Sequence, residues 1–200
     1  MCNMNLLQYI IHLDFYLFEL INGQWTNTVF DHFFTLIREP LLWTPLYLFL
    51  LLLVTINFGL KGWWWSFIFV INVSATDLIS SRLIKESVGR IRPCMEPFLA
   101  NQVRFLANYC PHSGSFTSSH AANHFGMAAF IAGTLGRQSR YWRLVYLWAF
   151  LISYAQVYVG VHFPLDVLGG ALLGLLAGTL SARFFNRKIG PLLFTNPQPS

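Results

Sequence analysis

Apolar residues run along this chain in long blocks, broken by a few short polar islands. From Pro40 to Gly59 no charged residue interrupts PLLWTPLYLFLLLLVTINFG. The next block, WWWSFIFVINVSATDLISSRLI, carries Asp77 inside it and Arg82 near its end. HAANHFGMAAFIAGTLG, WRLVYLWAFLISYAQVYVGV and PLDVLGGALLGLLAGTLSARFF complete the series. Each block extends to roughly 20 residues of helix, the length that crosses about 30 Å of hydrocarbon. The pattern predicts an all-α fold, a polytopic helical membrane bundle of five transmembrane spans. The N-terminal block LLQYIIHLDFYLFELI is a sixth span or an interfacial helix, because His12, Asp14 and Glu19 suit either. Without a basic lead or a small-residue cleavage site, it does not read as a removable signal peptide.

Composition strengthens the picture. Hydrophobic residues make up 55% of the chain and charged residues 10%, whereas a soluble domain wetted all round carries about 25% charge. Lipid is therefore the expected solvent for most of the surface. The 200 residues form one domain, 1–200, with an outer loop at about 86–117 and a tail from about 190 expected to be disordered. Pro93, Pro97, Pro111 and Gly114 keep that loop from being continuous helix. Cys94 and Cys110 bracket it and form a disulfide candidate on an oxidising face, with two free thiols as the alternative.

The net charge of +5 has two readings. If the loop faces outward, Lys61, Arg137, Arg140, Arg143, Arg183, Arg187 and Lys188 fall inside, as the positive-inside tendency prefers. Arg38, Arg82, Lys85, Arg90, Arg92 and Arg104 then fall outside, either facing headgroups or forming a pocket for an anion.

Alternating spans bring three polar islands to one side: KESVGRIRP (Lys85 to Pro93), SFTSSHAANH (Ser115 to His124) and VHFPLD (Val161 to Asp166). In the second, Thr117 is the expected N-cap, leaving Ser118, Ser119 and His120 in the first turn. A helix start offers unpaired N–H groups and partial positive charge, which suit an oxyanion. In the third, Pro164 sits early in a helix and Asp166 in its first turn. Lys85 and Arg92 add full positive charges. Singly, each residue has a plainer account as a cap, a dipole complement or a helix-start acid. Together they describe a pocket for phosphate that needs no metal.

These residues resemble the type 2 phosphatidic acid phosphatases, membrane relatives of bacterial acid phosphatases and vanadium haloperoxidases. The family's first signature, Lys, six residues, Arg-Pro, is met by Lys85 and Arg92-Pro93. Of the second, Pro-Ser-Gly-His, Ser118 and His120 remain, with Thr117 for Pro and Ser119 for Gly. Of the third, Ser-Arg, five residues, His, three residues, Asp, His162 and Asp166 remain, with Ala155 and Gln156 for Ser-Arg. The resemblance covers about residues 44–185. It implies a metal-independent, cofactor-free lipid phosphatase. His162 would form a phosphohistidine, Asp166 would orient it, and His120 would serve as acid and then base. Lys85, Arg92, Ser118, Ser119 and Gln156 would hold the phosphoryl oxygens. Gln156 gives neutral bonds where the family has a guanidinium, so Arg90 or Arg104 is expected to compensate.

Two rival readings remain. His120 and His124, at i and i+4, have a spacing that zinc accepts, with His162 or Asp166 to complete the set, although the nearby cations would repel a metal. A non-catalytic lipid-binding or transport protein on the same fold would use Asn72 and Asp77 as transport groups. The expected partners are a membrane lipid phosphate and the bilayer, with no nucleic acid; the sequence assigns no oligomeric state. By analogy with cell-envelope carrier recycling, undecaprenyl diphosphate is the expected substrate. Phosphatidic acid, phosphatidylglycerol phosphate and lipid A phosphates are the alternatives. The expected location is the bacterial inner membrane, with the site facing the periplasm or exterior.

Overall fold

The structure, a computed structural model, describes residues 5–99 and 102–193. Of the tail expected from about 190, residues 194–200 lie outside the described residues, as does Cys2. Every regular element among the described residues is helical. Seven α-helices follow in order: α1 (Leu6–Glu19), α2 (Thr28–Ile37), α3 (Pro40–Leu78), α4 (Lys85–Val88), α5 (Ser119–Leu135), α6 (Val145–Tyr158) and α7 (Pro164–Lys188).

The helix starts are set by local chemistry. Asn5 and Gln8 cap α1 reciprocally, side chain to backbone, at 2.9 and 3.0 Å. Asn27 caps α2 through the N–H of Phe30. Glu39 precedes Pro40, whose missing N–H costs nothing at the first helical position. The 39 residues of α3 are not one rod, because Gly59 adopts φ 52° and ψ −128°. Pro40 and Asp77 line the same cavity, which a straight helix rising 1.5 Å per residue would forbid. The chain doubles back at Gly59, a conformation open to a residue without Cβ.

Two stretches are long and apolar enough to cross a membrane, Pro40–Leu99 and Pro164–Lys188. Because the first is folded at Gly59, it contributes a helical hairpin. α5 and α6, with 17 and 14 residues, are shorter than the spans expected from the sequence.

The axis of the bundle is the seam between α5 and α7. A Cβ placed on Gly170, Gly174 or Gly178 would come within 2.3 Å of the carbonyl oxygens of Ser118, Ala122 and Gly126. The two backbones touch, as small-residue stripes permit in membrane bundles. On its other face α7 presents Leu168, Leu172, Leu176 and Leu180, each more than half exposed and four residues apart. One helix thus shows glycine to its neighbour and leucine to the surroundings. Trp65, Phe69, Phe130 and Phe185 form an aromatic core, with Trp65 Nε1 donating to Thr134 Oγ1 at 2.7 Å.

Asn72 and Asp77, weighed above as transport groups, have packing partners. Asn72 Oδ1 accepts from Ser181 Oγ at 3.1 Å, and Asp77 Oδ1 accepts from Asn123 Nδ2 at 3.1 Å.

Candidate active site

The α5–α7 seam decides where the chemistry can sit. It aligns the starts of the two helices so closely that the N–H of Ser118 donates to the carbonyl of Asp166 at 2.9 Å. The N-cap of α5 is Ser118, one residue beyond the expected Thr117; its hydroxyl accepts from the N–H of Ala121. Thr117 is buried and hydrogen-bonded to Ser80, so its side chain is unavailable for capping. The correction brings Ser119 and His120 to the first two helical positions, whose N–H groups have no intrahelical acceptor.

His162 lies in the short connection between α6 and α7, where the carbonyl of Gln156 accepts from the N–H groups of Val161 and His162, both at 3.2 Å. Arg92 Nη1 lies 3.1 Å from His162 Nε2. A guanidinium only donates, so Nε2 is the acceptor and the ring proton resides on Nδ1. Nδ1 faces Asp166 Oδ2 and Ser115 Oγ, each at 3.5 Å. Burial pushes the His162 imidazole down to about 4, against the opposing effect of Asp166, while Arg92 and Lys85 add repulsion. The ring is therefore neutral near pH 7, with an unprotonated Nε2 whose electron pair faces Arg92.

Asp166 is completely buried, and both its oxygens are engaged. Oδ2 accepts from the N–H of Phe163 at 2.8 Å and from Ser115 Oγ through a short hydrogen bond. Oδ1 accepts from Arg90 Nη1 at 2.8 Å. Arg90 also donates to Asp14 of α1 at 2.5 Å and lies 4.2 Å from the centre of the Phe163 ring. Asp14 in turn accepts from the N–H of Leu165 at 2.8 Å. Arg104 donates to Asp31 at 2.8 Å, beside the Tyr158 hydroxyl. Neither Arg90 nor Arg104 is arranged as the expected compensating cation, since carboxylates already hold both.

Lys85 and Arg92 are different. Both are buried, and neither pairs with a carboxylate among the described residues. Lys85 Nζ donates to Ser119 Oγ at 2.8 Å, whose hydroxyl also meets Ser80 Oγ at 3.0 Å. Besides His162, Arg92 donates to the carbonyls of Ser113 (2.8 Å), Gly114 (3.2 Å) and Val161 (3.1 Å), and to Ser113 Oγ (3.2 Å). Cys94 and Cys110 are disulfide-bonded, closing the loop that carries Arg92 on one side towards Ser113 on the other. Gln156 is buried with its Nε2 unpaired.

His120 lines a cavity of about 510 Å³ between α3 and α5, together with Ser119, Asp77, Asn123 and the apolar side chains of Leu51, Phe69, Val73 and Met127. His120 is close enough to His162, His124 and Lys85 to couple with each electrostatically. In His124, Nδ1 donates to the carbonyl of His120 at 2.8 Å and Nε2 accepts from the Tyr47 hydroxyl at 3.1 Å. Both ring nitrogens are engaged and the ring packs against Trp148. The zinc reading thereby loses a ligand.

Sequence reasoning missed Ser115, Ser113 and Asp14. Asp14 had one signal, a lone acid in an apolar block; the two serines had none, being polar residues in a polar loop.

A buried neutral imidazole backed by a carboxylate, two desolvated cations and a free helix start define an enzyme that handles phosphate. The profile of the PAP2 superfamily matches residues 63–189, and the chain belongs to that superfamily. It is a membrane-embedded lipid phosphatase, as the motifs predicted. A lipid A 4′-phosphatase of Bacteroides thetaiotaomicron is 28% identical over 88% of this chain and 78% of its own length. Phosphatidylglycerophosphatase B of Bacillus subtilis is 33% identical over 62% of this chain and 60% of its own. The crystal structure of Aquifex aeolicus LpxE superposes with a TM-score of 0.67 at 28% identity, covering 86% of this chain and 95% of that one.

Proposed function

We propose that this protein hydrolyses the phosphate monoester of a membrane lipid whose headgroup carries hydroxyl or amide groups, a lipid A-type sugar phosphate above all. Nε2 of His162 attacks phosphorus along the direction now occupied by Arg92 Nη1. The P–O bond to the lipid breaks, and His120 gives the departing oxygen its proton. Asp166 keeps the His162 proton on Nδ1 and stabilises the charge that develops on the ring. His120, now neutral, takes a proton from water, which attacks the phosphohistidine; the N–P bond breaks and phosphate leaves. Lys85, Arg92, Ser118 and the N–H groups of Ser119 and His120 hold the phosphoryl oxygens, the contribution that usually dominates such catalysis. The step uses no metal ion.

One observation carries the choice of lipid. The cavity that holds His120 sets the Asp77 carboxylate and the Asn123 amide, bonded to each other, in a lining that is mostly apolar beyond its histidines and serines. A polyprenyl chain offers these groups nothing to bond, whereas a sugar hydroxyl or acyl amide does. The lipid A relative, which aligns with most of this chain, supports the same choice. Undecaprenyl diphosphate, expected from the sequence, becomes the comparator. The disulfide supports a site on an oxidising face, hence an inner-membrane protein open to the periplasm, with α5 and α6 crossing alongside the α3 hairpin and α7.

The test is phosphate release by the purified protein from lipid A, undecaprenyl diphosphate, phosphatidic acid and phosphatidylglycerol phosphate, with and without chelator. The expected result is the highest kcat/KM on lipid A, unaffected by chelator and lowered about tenfold by Asp77→Ala on that lipid alone. Equal rates on the polyprenyl substrate, unchanged by Asp77→Ala, overturn the headgroup assignment.

A further inference from the structure

Gln156 stands where a phosphatase of this family has a guanidinium, its Nε2 is buried and unpaired, and Arg90 and Arg104 are held by carboxylates. A third outer cation is held only loosely by its carboxylate. Arg38 closes α2, and its side chain is 13% exposed. Its Nε is buried with no hydrogen-bond partner, and its side chain makes no hydrogen bond among the described residues. The nearest carboxylate, Glu39, is half in solvent at 3.8 Å, a distance and exposure at which a pair contributes little. A largely buried guanidinium with an unbonded Nε and only a weak ion pair is costly unless a ligand completes it.

Its neighbours place it at the site. Ile37, one residue before, packs in the same buried cluster as Ala155, one residue before Gln156. Pro40, two residues after, lines the cavity that holds His120. The charge of Arg38 acts on both His120 and Arg92, so it lies near the groups that would hold phosphate. It comes from an element outside the segment matched by the family profile, residues 63–189.

We infer that Arg38, from the connection between α2 and α3, supplies the phosphate-holding cation that Gln156 does not. The inference rests on the phosphatase reading above and deepens it: the guanidinium is kept in space and moved in sequence. A charge entering from α2, beside the cavity mouth, also binds the phosphoryl group from the side on which the lipid arrives.

The experiment uses the full chain in detergent, with orthovanadate affinity as the direct probe of the phosphate site and kcat/KM on lipid A as the second readout. Arg38→Met should weaken vanadate binding and lower kcat/KM, each by about 10- to 100-fold, with no fall in melting temperature. Adding Gln156→Arg to Arg38→Met should restore at least about tenfold of that loss. Arg38→Gln, closer in size, serves if the Met variant does not fold. Vanadate affinity within about twofold of the parent in the neutral variants overturns the inference. A loss that Gln156→Arg leaves untouched, or one accompanied by a lower melting temperature, overturns it too, since Arg38 then acts on the fold. A parent that binds vanadate through Arg38 but cleaves none of the lipids would sink the lipid assignment and leave this inference standing.

Discussion

Arg90 and Arg92 stand two residues apart in one loop, and they meet opposite company. Arg90 reaches two buried carboxylates, Asp14 and Asp166, and the face of Phe163. Arg92 reaches carbonyl oxygens, one hydroxyl and Nε2 of His162, the proposed nucleophile. The first charge is neutralised where it sits, so it fixes the carboxylate that orients His162. The second keeps its charge, because carbonyls orient a guanidinium without cancelling it. Which cation is free for an anion is decided by the counter-ion, not by proximity to the site.

The largest test of this division is at the histidine the two arginines serve. His162→Ala should lower kcat/KM by ~10⁴-fold or more, as loss of a nucleophile does; phosphate release at the parent rate would remove it from the mechanism. Arg92→Met should cost about 10² to 10³ in kcat/KM and weaken orthovanadate binding in step, as expected of a donor to the developing phosphoryl charge. Arg90→Met should behave otherwise, lowering kcat about tenfold through a misplaced Asp166 while sparing vanadate affinity. It also leaves two buried carboxylates unpaired, at about 3 kcal/mol, and should lower the melting temperature. Parallel losses of vanadate affinity in the two variants would erase the distinction.

A gentler probe is pH. With the His162 imidazole pushed down to about 4, its neutral form persists through the ordinary histidine range. The acid limb of kcat/KM should therefore fall towards pH 4 and not near 6.5, and Asp166→Asn should move it lower still, by removing a partner that favours the protonated ring. The smallest effect is expected at Arg104→Met, where kcat/KM should stay within about twofold because Arg104 serves Asp31 and Tyr158.

The sequence showed the three polar islands, the helical class and the cysteine pair, because each has a local signature: an apolar block, a cap, a bracketed loop. It missed the N-cap by one residue, since Thr117 and Ser118 both offer a hydroxyl oxygen that can accept at a helix start and the choice is made by Ser80, 37 residues away. Asp14 was legible as an oddity but not as a partner, because Arg90 lies 76 residues further on. Expecting Arg90 to compensate for Gln156 failed on the same ground, since charge counted along a chain ignores which acids tertiary structure brings to it. The hairpin in α3 was legible by contrast: one apolar block ends at Gly59, the next begins at Trp63 with Lys61 between, and the chain turns at Gly59.

The glycine contacts of α7 have a consequence for movement. Where two main chains touch, no layer of side chains remains to rearrange, and sliding one helix past the other would drive carbonyl oxygens into Cα atoms. The proposed catalytic groups at the head of that seam are thus fixed in place, like jaws set in a vice. Any widening that admits a bulky lipid falls to the opposite wall, the hairpin carrying Tyr47, Leu51 and Phe69, so the substrate is accommodated by one flank while the reacting atoms are held by the other.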